Sequence, residues 1–242
     1  MESGCGSSAG RVRELNEDVV WCDGRLAVVA DGMGGAAAGE VAASLAVETV
    51  KGWPFPPLDA PIEELEEAAL QAVGAANRII YERASADPAL RGMGTTITAA
   101  ILGRDCAVVA HVGDSRAYHV KAGRLRPITQ DHSVVAELVR SGGITPEQAR
   151  RHPYRNLLTR ALGPAPRVEV DIHTVPLDRD DGLFLCTDGL TILLADDEIA
   201  GIIQEAKGAQ AAVDALIAEA NQRGAPDNVS AILLYPGGSA RD

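Results

Sequence analysis

The stretch LAVVADGMGG (residues 26–35) runs five apolar residues into a carboxylate, Asp31, and then into three glycines. The apolar run reads as a buried strand. A carboxylate at the tip of such a strand is costly unless something positive meets it. The same arrangement recurs at Asp114 in HVGDSR (111–116) and at Asp188 in LFLCTDGL (183–190). In reverse order, Asp227 stands just ahead of the final apolar run in PDNVSAILLY (226–235). Each Asp taken alone is most simply a turn or helix cap. Four at the ends of apolar runs, with few basic residues beside them, suggest a shared divalent-metal site.

The ligand chemistry agrees. Hard cations such as Mg²⁺ and Mn²⁺ prefer oxygen donors. Asp31 and Asp188 each precede a glycine, which lets the backbone turn tightly, so the Gly32 carbonyl can face the same ion as the Asp31 carboxylate. Two such ions ~3.5–4 Å apart share a hydroxide and bind a phosphoryl oxygen. Arg13, five residues before Asp18, is the residue type that grips phosphate through two parallel hydrogen bonds, although an arginine without context is most simply a surface residue. A dinucleotide fingerprint is the competing reading, because Gly32-x-Gly34-x-x-Ala37 follows a strand and precedes a helix. It is weak: Asp31 would sit against a pyrophosphate, and the acidic residue expected ~20 positions on falls in a proline-rich loop.

The chain has 242 residues, 46% hydrophobic and 23% charged, enough for a substantial core. A formal net charge of -12 and a pI near 4.8 argue against broad binding to nucleic acid or anionic membranes. No apolar run approaches the ~18 residues of a membrane span, and the N-terminus is not a secretory signal. Cys5, Cys22, Cys106 and Cys186 form no CxxC pair, so they read as reduced thiols in a cytoplasmic protein.

Along the chain, a polar Gly/Ser-rich opening precedes a short segment at 19–22 and the Asp31 strand. Helical spacing follows at 39–50. GWPFPPLDAP (52–61) is a loop. A second helix spans 62–84 with a stripe of Leu65, Ala69, Ala72, Val73 and Ala76. Strands at 95–102, 106–112 and 116–121 are joined by short turns, GRD and KAGR, which is antiparallel connection chemistry. A short helix covers 133–140, and polar sequence with Gly142-Gly143, Pro146 and Pro153 reads as a mobile insertion. Strands at 168–175 and 182–186, helices at 196–206 and 210–221 and a strand at 229–235 complete the pattern. The tail PGGSARD (236–242) reads as disordered. No repeat and no linker interrupt the chain, so residues 1–242 read as one α+β domain of packed layers.

Eight motifs in order resemble the metal-dependent protein phosphatases, the type 2C serine/threonine family. They are GRVRELNED (10–18), VADGMGG (29–35), MGTT (93–96), HVGDSRAY (111–118), QDHS (130–133), LTRALG (158–163), CTDGL (186–190) and PDNVS (226–230). SGGITPEQARRHPYRN (141–156) resembles the flap of the bacterial single-domain subgroup. The resemblance implies a four-layer αββα sandwich: two antiparallel sheets between helix pairs, with the flap near 141–156. It implies a protein serine/threonine phosphatase, a phosphoric monoester hydrolase acting on phosphoserine and phosphothreonine in bacterial signalling. Two Mn²⁺ or Mg²⁺ ions and a weaker third ion would be its cofactors.

By position, the resemblance makes Asp31 the bridge between two metals, with the Gly32 carbonyl on the second. Asp188 and Asp227 hold the first metal. Asp18 acts through metal-bound water, Asp114 joins Asp188 at the third ion, and Arg13 grips the substrate phosphate. The nucleophile is the metal-bridging hydroxide, with no phosphoenzyme. Asn228 steadies the adjoining turn. The implied partners are phosphoproteins and a cognate Ser/Thr kinase, with no nucleic acid and no membrane, and a monomer as the default. One departure stands out: the eukaryotic branch has a histidine where this chain has Met33, which cannot donate a proton. The alternative function is a catalytically silent phosphoprotein-binding module on the same fold; a nucleotide-binding oxidoreductase would need NAD(P).

Other reactive residues have plainer readings. Ser115 lacks a nucleophile signature such as GxSxG and reads as structural. His111 reads as a satisfied core histidine, and His132 as part of a turn near the site. The acidic run at 63–67 is the solvated face of a helix.

Overall fold

The computed structural model describes residues 1–33 and 38–238. Gly34 and Ala37 of the glycine-rich match, and residues 239–242 of the tail, lie outside the described residues. The first half contains β1 (Glu2–Ser8), β2 (Asp18–Cys22), β3 (Leu26–Met33), α1 (Gly39–Lys51), α2 (Ile62–Ala86), β4 (Gly94–Thr95), β5 (Ile97–Leu102), β6 (Cys106–Val112), β7 (Arg116–Lys121) and β8 (Arg124–Pro127). Then come α3 (Val134–Arg140), α4 (Pro146–Ala149), β9 (Asp171–Pro176), β10 (Gly182–Cys186), α5 (Asp188–Thr191), α6 (Asp196–Glu205), α7 (Ala209–Gln222) and β11 (Val229–Tyr235).

The strands form two antiparallel sheets. One runs β1-β11-β10-β7-β8, the other β2-β3-β5-β6-β9 with β4 beside β3. Side-chain alternation along β3 shows how the layers arise. Leu26, Val28 and Ala30 pack under α1 and α2, against Ala42, Ala46, Leu65 and Ala72. Ala27 and Val29 face the other sheet and meet Leu183, Leu185, Ile232 and Leu234. On the far side α6 and α7 cover Phe184, Ala231 and Leu233 with Ile199, Val213 and Leu216. This is the αββα sandwich that the resemblance implied. A strand buried on both faces has no reason to alternate in polarity, which is why β5 is buried along its whole length and apolar but for Thr98.

The helices follow their stripes. Buried Leu65, Ala69, Ala72, Val73, Ala76 and Ile80 line one face of α2, with Glu63 and Glu64 in its first turn, where the helix dipole favours negative charge. It stops at Asp87, because the residue before Pro88 disfavours helical geometry. Among the described residues, no helix is long and apolar enough to cross a membrane. The four cysteines are free thiols.

The structure departs from the sequence reading in four places. The Gly/Ser-rich opening is β1, paired with β11 along its whole length. Its composition has little strand preference, and it forms because the glycines admit α7: a Cβ on Gly4 would collide with the backbone of Ala209 and Gln210. β8 is a further strand, joined to β7 by Ala122 and Gly123 at φ 50° and 72°. Positive φ at both positions is what a two-residue hairpin loop requires, and KAGR carried that signal. β9 begins at Asp171 rather than at 168, because its partner β6 ends one residue beyond the His111–Asp171 pair and turns at Gly113; Val168 and Val170 instead pack against the core. A short helix, α5, opens on Asp188 itself. Inside the flap segment, Thr145 and Gln148 form a capping box around α4.

The two glycines of β1 predict a contrast. Gly4→Ala forces backbone against backbone and costs ~1–3 kcal/mol. At Gly6 an added Cβ meets only side chains, the tip of Ile217 and a methyl of Val213, which can yield more than backbone, so Gly6→Ala costs less than Gly4→Ala. Urea unfolding of the two variants measures this, and equal losses would contradict the close-approach role of Gly4.

Candidate metal centre

The register of β2 and β3 sets Asp18 directly opposite Asp31. Like charges in such a cross-strand pair repel. Both lie on the face that looks into the gap between the sheets, since Asp31 continues the alternation of Ala27 and Val29. The opposite sheet answers with hydroxyls. Thr187 Oγ1 lies 2.9 Å and Ser230 Oγ 2.7 Å from Asp18 Oδ2. Asp18 Oδ1 is buried without a hydrogen-bond partner.

The neighbouring turns are fixed by close approaches. Asp31 donates its N–H to Thr96 Oγ1 at 3.0 Å, and its carbonyl accepts from Thr95 Oγ1 and the Thr96 N–H, each at 2.9 Å. A Cβ on Gly32 would strike the Gly39 carbonyl at the start of α1, and one on Gly189 the Asn228 carbonyl. Those contacts hold Gly32 against α1 and Asp188 beside the segment of Asp227. Gly113, at φ 116°, has no room for a Cβ beside Thr96 and turns the chain into Asp114. Asn228 accepts from the Glu17 N–H at 2.9 Å and donates to the carbonyls of Ala9 and Leu15, clamping the loop that carries Arg13 to the start of β11. That is the turn-steadying role expected of it.

Arg13, Asp31, Gly32, Asp114, Asp188 and Asp227 line one cleft of about 230 Å³, together with Glu17, Met33, Thr96, Asn156 and Leu158. Asp18 lies buried beneath, beside Asp31. Every residue proposed from the sequence is therefore at this end of the sandwich. Arg13, half-exposed at the mouth, donates to Asp227 at 2.9 Å. Sequence reasoning missed Thr187 and Ser230. Both lie inside quoted motifs, CTDGL and PDNVS, but hydroxyl residues in a strand carry no spacing signal.

Burial and mutual repulsion dominate the electrostatics. Burial first, then Asp188 and Asp227, push Asp18 up to about 7 against the hydrogen bonds from Ser230 and Thr187. Burial and Asp227 push Asp188 up to about 6. Asp31 and Asp114 are held well above the usual carboxylate range by burial and by the other aspartates. Glu17 is raised by burial and by Glu40. Among the described residues no three acidic, histidine or cysteine side chains have the spacing of a ready-made cage. Asp31 and Asp188 are close enough to shift each other's protonation, and Asp227 holds Arg13. The donor set nonetheless suits a divalent cation: all oxygen, an orphaned carboxylate oxygen on Asp18, and, among the described residues, no ion pair to these aspartates besides Arg13 on Asp227.

Around this set the histidines support the scaffold. His111 is buried between Thr98 Oγ1 at 2.9 Å and the Gln130 carbonyl at 3.2 Å, and burial with His132 nearby lowers it to about 3. His132 accepts from the Gly113 N–H at 3.1 Å and meets Asp171 at 3.0 Å, so it braces the Asp114 turn from behind. Ser115 is buried with its hydroxyl 2.8 Å from Thr96 Oγ1, a structural role.

Comparison with known proteins gives concordant results. The family model "Protein phosphatase 2C" matches residues 5–233. The serine/threonine phosphatase stp of Listeria welshimeri is 38% identical over 93% of this chain and 92% of its own length. A crystal structure of a bacterial serine phosphatase superposes with a TM-score of 0.92 at 34% identity, covering 99% of each chain. The catalytic domain of the serine threonine protein phosphatase PstP, solved in complex with two manganese ions, gives 0.87 at 35% identity over 96% of each chain.

The raised carboxylates fix a sign. Between pH ~4, where unfolded aspartates ionise, and the folded values of about 6 and 7, the folded state holds more protons than the unfolded one. This cluster therefore makes the cation-free protein less stable as pH rises through that window. Asp171 and Asp181, whose values are lowered, act in the opposite sense. Asp18's share, with its repulsion of the other aspartates, is the difference between wild type and Asp18→Asn. In EDTA, melting temperatures across pH 4–7.5 should fall more steeply in wild type than in Asp18→Asn; parallel profiles would count against the buried charge cluster.

Proposed function

This chain belongs to the protein phosphatase 2C family, and from that premise we infer that it hydrolyses phosphoserine and phosphothreonine in proteins with divalent cations held at the aspartate-lined cleft. It is a protein serine/threonine phosphatase, acting as one catalytic domain. The observation that carries the reading is the convergence of five aspartates on one cleft end with the guanidinium of Arg13 beside them. An arrangement so rich in negative charge has no use for an anionic substrate unless cations intervene.

Asp31, the Gly32 carbonyl, Asp188 and Asp227 would hold two ions, with Asp18 acting through water and Asp114 joining Asp188 at a third. When bound, Mn²⁺ or Mg²⁺ would supply a hydroxide nucleophile at neutral pH and neutralise the phosphoryl oxygens. The chain's own residues do the rest. Asp18, held by Thr187 and Ser230, orients water on the inner wall. Arg13, which pairs with Asp227 at 2.9 Å, would grip the substrate phosphate. Met33 faces the cleft but has no proton to give, so the leaving alkoxide takes its proton from water on the Asp114 side or from solvent. We assign the enzyme to the cytoplasm as a monomer opposing a Ser/Thr kinase.

Two outcomes test the reading. Mn²⁺ raises the melting temperature over EDTA, by an amount that follows RT ln(1 + [L]/Kd); identical melts would sink the metal centre independently of any assay. On a phosphothreonine peptide with Mn²⁺, Asp188→Ala and Asp227→Ala should each lose on the order of 100-fold or more in kcat, while Arg13→Ala should act mainly on KM, roughly tenfold or more. Binding of phosphopeptide without turnover in the wild type would favour the silent-module alternative.

A further inference from the structure

Between positions 140 and 167 the chain carries six arginines and a single acidic residue, Glu147, although its formal net charge is -12. Two of the six have internal partners: Arg140 donates to the Asp131 carbonyl at 3.1 Å, and Arg160 pairs with Asp171 at 2.6 Å. Arg151 and Arg155 are exposed, and among the described residues neither forms an ion pair. They occupy the run of turns that leads from α4 to the cleft, where the N–H groups of Arg151, Arg155 and Leu157 close on Gln148, His152 and Tyr154. The residue after Arg155 is Asn156, which lines the cleft with Leu158. Adjacent Cα atoms are ~3.8 Å apart, so the backbone of Arg155 lies within side-chain reach of the mouth.

Apolar side chains ring the same opening. Val12 and Leu15, each 67% exposed, flank Arg13; Met33 is 37% exposed on the cleft wall; Tyr154 and Leu157 are 58% and 53% exposed beside the two arginines. A lone exposed leucine means little. Five large apolar groups around one opening, mixed with arginine and tyrosine, have the composition of a surface that contacts protein. The interior of the cleft is strongly negative and the flap beside it strongly positive, so a bound chain meets opposite charge only on the flap side.

We propose that Arg151 and Arg155 form a docking rim that selects phosphorylated segments with acidic residues close to the phosphorylated one. The proposal rests on the phosphatase reading above and gives it a substrate class. Nucleic acid and anionic lipid share the charge but not the need for an apolar ring, and a net charge of -12 repels an extended polyanion at long range.

The test uses the full chain with Mn²⁺ and three substrates. These are p-nitrophenyl phosphate, which has no flanks, a phosphothreonine peptide with glutamates around the phosphoresidue, and the same peptide with lysines. Wild type should prefer the glutamate peptide by roughly tenfold in kcat/KM at low salt, the scale of a few exposed ion pairs, with the preference shrinking as salt rises. The double variant R151E/R155E should lose or invert that preference while hydrolysing p-nitrophenyl phosphate as wild type does. An unchanged glutamate-to-lysine ratio in the variant overturns the proposal. So does a loss of p-nitrophenyl phosphate hydrolysis confined to the variant, which would make the arginines part of the site's support. Wild type inert toward p-nitrophenyl phosphate would instead fail the phosphatase reading itself.

Discussion

The structure turns on one carboxylate, Asp18, held between the two sheets. It belongs to β2 of one sheet, and its two hydrogen bonds come from Thr187 and Ser230 of the other. These bonds satisfy only one oxygen, so the remaining charge is left facing Asp31. A buried, partly unsatisfied polar group is expensive in a core. Here the cost falls at the end of the sandwich where chain segments from positions 13 to 228 converge, and it is the cost that a cation would relieve. The apolar inter-sheet layer of Ala27, Val29, Leu185 and Ile232 keeps the two halves of the donor set at a fixed separation.

Backbone contacts rather than side-chain packing set the fine geometry. Gly32 against α1 and Gly189 against Asn228 leave no space for a Cβ, so each neighbouring aspartate is carried on a segment pinned to another element. Asn228 adds a third pin, fastening the Arg13 loop to β11 through three hydrogen bonds. Such contacts need little apolar area, which suits a rim that must stay open to a phosphorylated polypeptide. The flap side of the same opening supplies positive charge that the cleft lacks, and the two together make the mouth electrically two-faced.

Much of the fold was legible along the chain. The helical stripes of α1, α2, α6 and α7 and the apolar runs of β3, β5, β6, β10 and β11 declare themselves by period, because each buries a continuous face. β1 did not, because ESGCGSS carries neither alternation nor strand-forming residues; it exists through its pairing with β11 and the room its glycines leave for α7. The start of β9 was misread for a related reason: Val168 and Val170 are apolar enough for a strand, yet the neighbouring strand β6 has already turned away at Gly113.

The sequence by itself determined the chemistry on offer: which carboxylates end apolar runs, which precede glycine, that an arginine lies near them, and that Met33 has no proton to give. Those are local properties of residue type and order. Only the tertiary structure decided that Asp18 and Asp31 face each other across a register pair, that Thr187 and Ser230 reach across from the side of the second sheet, and that Arg151 and Arg155, with no ion pair among the described residues, lie exposed on the segment leading to the same cleft. The reason is physical. Charge repulsion, hydrogen-bond reach and exposure depend on distances between segments far apart in the chain, and such distances are set by packing, which no local pattern records.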